Sequence, residues 1–206
     1  MPQQVVAMEP FEADLQRGGA EHIAGLDEVG RGALFGPVLA AAVVLDPRGP
    51  VAGLNDSKQL SAAQRLELFL ELQEHAVDWA IGLASAAEID RINILRASRL
   101  AMVRAVRGLR RCPDHLLIDA LDLEELDIPQ TPIIKGDARC RSIAAASIVA
   151  KCVRDDLIRQ YGRSIRGYGL ARNMGYATAE HRAAIMSRGF SEVHRRTFRV
   201  QGTLPF

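Results

Sequence analysis

Four acidic residues stand at the ends of three apolar stretches of the chain. Asp27 and Glu28 follow HIAGL, Asp119 follows HLLI, and Asp137 follows PIIKG. An unpaired carboxylate in a buried setting is costly, so an acid in such a context indicates a compensating partner. Functional groups of open α/β sheets gather at the strand ends, and this spacing therefore lets the four acids converge.

Converging carboxylates repel one another and raise each other's pKa, and divalent cations relieve that repulsion. Mg²⁺ and Mn²⁺ prefer oxygen ligands, and no His or Cys accompanies these acids. Two such ions about 4 Å apart suit phosphoryl transfer, since one activates water and the other stabilises the leaving 3′-oxygen. Taken singly, each acid could equally be a strand cap or a salt-bridge partner.

The apolar pattern predicts the elements that position these acids. Predicted strands cover residues 22–30, 38–46, 76–85, 115–120 and 131–138. Predicted helices cover residues 60–75 with Ser61 as N-cap, Ile89 to Leu109 and residues 141–162, with two short basic helices after Gly167. Three consecutive strands, the first two joined as a hairpin, followed by alternating helix and strand predict an α/β fold around a mixed central sheet.

Composition narrows the class of protein. A chain of 206 residues that is 48% hydrophobic can form one well-packed domain, and no apolar run is long enough to span a bilayer. Residues 1–20 carry no secretory signal and are expected to form a loosely attached tail. Three cysteines without a CxxC pair argue against a disulfide framework or a thiolate zinc site, which favours the cytoplasm. A monomer without membrane attachment is the expectation.

Charge is distributed unevenly along the chain. Residues 139–206 hold 13 Lys or Arg and 4 Asp or Glu, a formal charge of +9, which leaves −8 for the first 138 residues. This asymmetry is expected when one part of a protein holds cations and another contacts phosphates. A solvated basic face without a partner is the alternative.

Several motifs together resemble bacterial ribonuclease HII. GLDEVGRG, GPVLAAAVVL, LNDSKQLS, LLIDA, IIKGDARCRSIAAASIVAKCVRD and GYATAEH occur in the same order and at similar separations, from about Ile23 to Phe198. The resemblance implies a ribonuclease H-like catalytic domain at 21–165, a small helical substrate-binding extension at 166–200 and a tail at 201–206. It also implies an endonuclease with two Mn²⁺ or Mg²⁺ ions. Such an enzyme hydrolyses RNA in RNA–DNA hybrids and cuts 5′ to single ribonucleotides in duplex DNA, leaving 3′-hydroxyl and 5′-phosphate ends, in excision repair and primer removal.

The resemblance assigns roles to individual positions. It places Asp27, Glu28, Asp119 and Asp137 on the metal-site acids, and Gly30, Arg31 and Gly32 on a turn whose backbone reads the ribose 2′-hydroxyl. Only a residue without a side chain lets the backbone approach a sugar so closely, and the 2′-hydroxyl distinguishes RNA from DNA. Tyr176 corresponds to a tyrosine that packs against the following deoxyribose, although ordinary loop packing is an alternative.

Other matched positions carry weaker expectations. Ser57, Lys58, Lys135 and Lys151 lie in motifs consistent with phosphate contact, with a solvated or structural role as the alternative. The sequence departs from the family at two positions. Ala120 replaces a common glycine, which restricts the backbone there, and Met174 replaces a common lysine, which puts one phosphate contact in doubt.

The last six residues, QGTLPF, resemble the short peptide by which bacterial repair enzymes bind the DNA sliding clamp. Gln201, Leu204 and Phe206 match its pattern, in which two apolar side chains fill a pocket and the glutamine fixes the register. The peptide predicts the clamp as a partner.

Two other functions remain open at this point. A non-catalytic protein of the same fold could bind RNA–DNA hybrids without turnover, although it would not need four metal-ready acids. Another nuclease of this fold, such as a resolvase or an integrase, would share the acids. It would not need the glycine turn and Tyr176.

Overall fold

The computed structural model describes residues 8–49, 51–55 and 57–199. This part of the chain contains eight helices and five strands. In chain order they are α1 (Phe11–Arg17), β1 (Ile23–Val29), β2 (Val38–Val44), α2 (Ala62–His75), β3 (Asp78–Ala84), α3 (Ala86–Ile92), α4 (Ile94–Arg107), β4 (His115–Asp119), β5 (Gln130–Ile133), α5 (Gly136–Arg139), α6 (Arg141–Ser164), α7 (Leu170–Asn173) and α8 (Ala179–Arg188).

The five strands form one mixed sheet in the order β3-β2-β1-β4-β5. β1 pairs antiparallel with β2 and β2 pairs antiparallel with β3, so the predicted hairpin is confirmed. β4 and β5 are added in parallel on the other side of β1. The predicted α/β architecture with a mixed central sheet is therefore confirmed.

The alternation of side chains along β2 creates a core on each face of the sheet. Val38, Ala40 and Ala42 join a buried cluster with α4, whereas Leu39 and Ala41 join a second cluster with α2 and α6. Small residues dominate the sheet side of α6, and a Cβ atom on Gly25 of β1 would lie only 2.1 Å from the Ser142 carbonyl carbon. The two elements are therefore in direct backbone contact, which fixes α6 beside β1.

The C-terminal helices form a smaller core with the second half of α6. Buried Phe35, Ile158, Tyr168, Leu170 and Ile185 pack together there. The loop between β1 and β2, which contains Phe35, is thereby joined to α7 and α8.

The N-terminal expectation differs from the structure. Residues 11–17, predicted as part of a loosely attached tail, form α1, and Phe11 and Leu15 pack against a buried cluster that includes Ile143. Glu12 accepts a 2.7 Å hydrogen bond from the Ser142 amide, and Glu9 pairs with Arg139. This helix is short and has few apolar residues, so the periodic pattern in the sequence is too weak to predict it.

Two element boundaries also differ from the prediction. The helix predicted from Ile89 to Leu109 is divided into α3 and α4 at Asn93, whose φ of 66° is outside the helical range and whose side chain caps the Arg96 amide. The last strand ends at Ile133, so Asp137 lies in α5 and not at the strand end. The α2 prediction is confirmed, with Ser61 as its N-cap. Throughout the described ranges, every helix is too short or too polar to cross a bilayer.

Candidate active site

All four predicted acids lie at one edge of the sheet. Asp27 and Glu28 are near the end of β1, and Asp119 is the last residue of β4. Because β1 and β4 are parallel neighbours, these acids leave the sheet at the same end. Asp137 lies nearby in α5, where the amide of Gly136 donates a 2.7 Å hydrogen bond to Asp119 Oδ1.

Burial raises the pKa of three of these acids. Asp27 is 7% exposed, and burial, followed by the charges of Glu28 and Asp119, raises its pKa well above the usual value. Burial also raises the pKa of Glu28, against the opposing charge of Arg31. Burial and the neighbouring Asp137 charge raise the pKa of Asp119. These carboxylates are thus close enough to disfavour one another's ionised forms.

Cationic side chains contact two of the acids. Arg31 donates a 2.9 Å hydrogen bond to Glu28 Oε1, and Lys58 donates a 2.7 Å hydrogen bond to Asp137 Oδ2. In this arrangement no three Asp, Glu, His or Cys side chains within the described ranges are placed to hold a metal ion. The Lys58 and Arg31 side chains are 77% and 47% exposed, so both can leave the carboxylates at little cost in burial.

The donor set fits a hard divalent cation. Glu28 Oε2 is buried and has no hydrogen-bond partner among the described residues. A buried carboxylate oxygen without a partner is energetically unfavourable unless a cation or a hydrogen-bond donor binds to it. Oxygen is the only donor type that the four acids offer, which matches the preference of Mg²⁺ and Mn²⁺.

A cleft of about 470 Å³ opens beside the acids. Its lining combines three of the acids with polar, cationic and aromatic side chains, and it includes Asp27, Glu28, Asp119, Arg31, Ser57, Lys58, Ser147, Lys151 and Tyr176. The cleft thus combines buried negative charge with cationic side chains at its wall. The negative charge suits divalent cations, and the cationic side chains suit phosphate groups.

Ser57 contributes to the cleft differently from Lys58. The Ser57 side chain is buried, and its hydroxyl lies 2.8 Å from that of Ser147 on α6. Ser147 in turn hydrogen-bonds the Asp27 carboxylate, which lowers the pKa of Asp27 against the effect of burial. The hydroxyl of Ser57 is therefore engaged within the protein, in a network that ends on an acid.

The glycine turn follows the first two acids directly. Gly30 has a φ of +89°, and a Cβ atom there would lie 2.1 Å from Arg154 Nε, so conformation and space both require glycine. Arg31 and Gly32 are exposed, and a Cβ on Gly32 would contact nothing within 4 Å. The turn therefore presents open backbone next to the acids.

Tyr176 is brought to this turn by main-chain pairing. Ala33 and Tyr176 form an antiparallel bridge, and the Leu34 amide donates a 2.8 Å hydrogen bond to the Gly175 carbonyl. The Tyr176 ring lies 5.8 Å from Lys151 Nζ and lines the acid cleft. Lys151 also donates a 2.8 Å hydrogen bond to Asp155.

The remaining predicted positions are less centrally placed. Lys135 lies between β5 and α5 with a left-handed φ of 57°, and among the described residues it does not line the cleft. Ala120 has a φ of 51° and Met174 a φ of 49°, so both departures from the family pattern occupy left-handed conformations that favour glycine. Gln201, Leu204 and Phe206 lie outside the described residues.

Several residues around the cleft were not predicted from the sequence. Arg154 and Arg195 are completely buried and hydrogen-bond the loop after β1, and His181 bonds the Tyr176 carbonyl. Ser147, which hydrogen-bonds Asp27, was likewise not predicted as a site residue. In a basic helical region, arginine and histidine are usually expected on the surface. The sequence alone therefore does not indicate that these side chains are buried.

Comparisons with known proteins identify relatives of this chain. The family model described as Ribonuclease HII matches residues 24–201. A Ribonuclease HII from Moorella thermoacetica is 51% identical over 197 residues, which are 96% of each chain. The ribonuclease H2 structure from Pyrococcus horikoshii OT3 superimposes with a TM-score of 0.73 at 27% identity, over 87% of this chain and 95% of that chain.

A second solved structure, described as the PCNA:RNase HII complex from Archaeoglobus fulgidus, gives a TM-score of 0.72 at 26% identity, over 84% of this chain and 91% of that chain. Both structures share the predicted ribonuclease H fold. The family model matches most of the chain. The identity of 51% to the protein from Moorella thermoacetica is higher than proteins that share only a fold would have. The chain therefore belongs to the ribonuclease HII family and is a ribonuclease H enzyme.

Proposed function

We propose that this enzyme hydrolyses RNA in RNA–DNA hybrids and incises duplex DNA on the 5′ side of a single embedded ribonucleotide, leaving 3′-hydroxyl and 5′-phosphate ends. Such incision would begin ribonucleotide excision repair and contribute to primer removal. The main support is the bridge between Ala33 and Tyr176, because it joins a ribose-reading turn and an aromatic ring beside the same acids.

Asp27, Glu28, Asp119 and Asp137 are the proposed ligands of two divalent ions, Mn²⁺ or Mg²⁺. When bound, the ions would supply the Lewis acidity that activates water and stabilises the leaving 3′-oxygen. The acids would bind these ions beside the ends of β1 and β4. Ser147 orients Asp27 through its hydrogen bond. Lys58 and Arg31 would move from the carboxylates to the phosphates of the substrate, a change that their exposed side chains permit.

The glycine turn and Tyr176 are the proposed readers of the sugar. The backbone of Gly30, Arg31 and Gly32 would bond the ribose 2′-hydroxyl, and the Tyr176 ring would pack on the next sugar. A 2′-oxygen on that next sugar would crowd the ring, which favours an RNA-to-DNA junction. Lys151, whose Nζ atom lies 5.8 Å from the centre of the ring, is a proposed phosphate contact.

The test is cleavage of an end-labelled DNA duplex with one ribonucleotide, in Mg²⁺, in Mn²⁺ and in chelator. We expect a metal-dependent cut on the 5′ side of that ribonucleotide and none in all-DNA duplex. A cut only within a continuous RNA–DNA hybrid would reject the proposed roles of the turn and Tyr176. Tight binding without a cut on either substrate would indicate a hybrid-binding protein.

A sliding clamp is the proposed protein partner. The support is the peptide Gln201, Leu204 and Phe206 and the fold similarity to an RNase HII whose structure is described as a complex with PCNA. Deletion of residues 201–206 should abolish clamp affinity in a calorimetric titration and leave cleavage of a short duplex unchanged. Equal clamp affinity of the full-length and shortened chains would reject this partner.

A further inference from the structure

Two arginines are completely buried beside the candidate active site. Arg154 on α6 and Arg195 after α8 are each 0% exposed. Neither forms a salt bridge within the described ranges, and both guanidinium groups donate to backbone carbonyl groups instead. A buried cation without an anionic partner is costly, so its retention calls for a specific task.

The two arginines contact different parts of the site. Arg195 donates to the carbonyls of Gly30, Arg31 and Gly36, at 2.7, 2.7 and 2.9 Å, all within the loop that contains the glycine turn. It therefore fixes the glycine turn from one side.

Arg154 contacts the same loop and also the segment that contains Tyr176. It donates to Phe35 and Pro37 at 3.2 Å each, and to Met174 at 3.0 Å. Its guanidinium carbon lies 5.4 Å from the centre of the Tyr176 ring, within the range of a cation–π contact. The same side chain occupies the space in which Gly30 would have a Cβ atom. Arg154 therefore touches both sugar-reading elements.

A buried pair of histidines forms a second contact with Tyr176, at its carbonyl group. The Ser191 amide donates a 2.9 Å hydrogen bond to His194 Nδ1, so neutral His194 carries its proton on Nε2. That proton is donated to His181 Nε2 at 3.1 Å, which leaves the His181 proton on Nδ1. His181 Nδ1 then donates at 2.9 Å to the Tyr176 carbonyl. Among the described contacts, His181 bonds Tyr176 but not Gly30 or Arg31, and its partner His194 pairs with Phe35 farther along the β1–β2 loop.

We propose that Arg154 is a positioning residue that couples the glycine turn to Tyr176, so that ribose and deoxyribose recognition depend on one buried guanidinium. This inference rests on the proposed function of the turn and of Tyr176. It adds that the two elements that read the sugars of an RNA-to-DNA junction are both positioned by Arg154, whereas Arg195 supports the glycine turn only.

The first experiment compares Arg154→Met with Arg195→Met, a matched control that removes an equally buried guanidinium with three carbonyl bonds. The readout is the ratio of kcat/KM for a duplex with one ribonucleotide to kcat/KM for a continuous RNA–DNA hybrid. We expect Arg154→Met to lower the ratio by about tenfold or more, since a small misplacement of a positioning group costs up to about a hundredfold. Arg195→Met should lower kcat/KM on both substrates and leave the ratio unchanged.

The double variant Arg154→Met/Tyr176→Ala separates positioning from general damage. If Arg154 acts through Tyr176, the double variant should have the same ratio as Tyr176→Ala alone, because groups that act as a unit are not additive. A ratio lowered by the product of the two single effects would overturn the coupling. So would an unchanged ratio in Arg154→Met.

Amide hydrogen exchange without substrate gives an independent readout. Arg154→Met should accelerate exchange to a similar extent in residues 33–36 and in residues 174–177, whereas His181→Leu should do so mainly in residues 174–177, because its link to Phe35 is indirect. Should Arg154→Met fail to fold, Arg154→Lys takes its place, because lysine keeps the charge but cannot reach three carbonyl groups.

A wild-type enzyme without junction preference would reject the proposed function itself. Wild-type preference that survives in the Arg154 variants would reject only the coupling.

Discussion

At the scale of single residues, Asp27 is held in an unfavourable environment. Its carboxylate is buried next to Glu28 and Asp119, and only the Ser147 hydroxyl and the Glu28 amide offset the resulting rise in its pKa. Such a group lowers the stability of the metal-free protein at neutral pH, because the ionised form is disfavoured by folding. A bound cation would remove that penalty.

Asp27→Asn should therefore abolish cleavage and stabilise the metal-free protein at neutral pH by more than the ~0.5 kcal/mol within which surface substitutions usually fall. The asparagine keeps the oxygen that accepts the Glu28 amide but adds no charge. Urea unfolding in chelator measures the change, and the exposed Asp127→Asn should stay within about 0.5 kcal/mol of wild type. Substantial residual cleavage would contradict the assignment of Asp27 as a metal ligand, and unchanged stability would contradict the electrostatic penalty of its buried carboxylate.

His194 predicts a loss of stability in acid. Burial, and then the neighbouring His181, lowers the pKa of His194 to about 4. The unfolded chain thus binds this proton more readily, so the contribution of His194 is fully present above pH ~6.5 and is lost as the pH falls toward 4. The free energy of unfolding should fall by about 2–3 kcal/mol across this interval beyond the change in His194→Gln, measured by urea unfolding at each pH. Parallel pH curves for the two proteins would contradict this.

At the scale of elements, the contact between β1 and α6 places Asp27 against Ser147. Gly25→Ala would bring a Cβ within 2.1 Å of the α6 backbone, which cannot yield like a flexible side chain. We expect a loss of at least about 2 kcal/mol in the free energy of unfolding, and lower activity as Ser147 moves away. Gly32→Ala, with open space around its Cβ, is the control for stability. Equal stability of the two variants would show that α6 is not rigidly seated.

Element prediction succeeded where the signal was local. The continuous apolar run of β2 and the N-cap at Ser61 needed only neighbouring residues. The division between α3 and α4 could not be predicted, because both segments continue an amphipathic pattern across Asn93. Likewise α1 is stabilised by contacts with α6 that lie far away in sequence.

At the scale of the whole molecule, the asymmetry of charge predicts salt-dependent substrate affinity. The basic region from residue 139 onward carries +9, and α6, α7 and α8 lie within it. Raising monovalent salt from about 50 to about 200 mM should weaken binding of a ribonucleotide-containing duplex by about tenfold or more, measured by fluorescence anisotropy with chelator. A melting temperature that stays constant over this range is the control. Salt-independent affinity would mean that the basic region does not contact phosphates.

The sequence by itself determined the acids, their positions near strand ends and the glycine turn, because these features depend on residue type and local spacing. Tertiary structure decided which groups surround them. The pairing of Ala33 with Tyr176 and the burial of Arg154 and Arg195 join segments that are remote in sequence, so no local pattern encodes them. A buried arginine and a solvated one have the same sequence signature. Only the packing of α6 and the C-terminal helices around the β1–β2 loop distinguishes the two, since packing determines which carbonyl groups the guanidinium can reach.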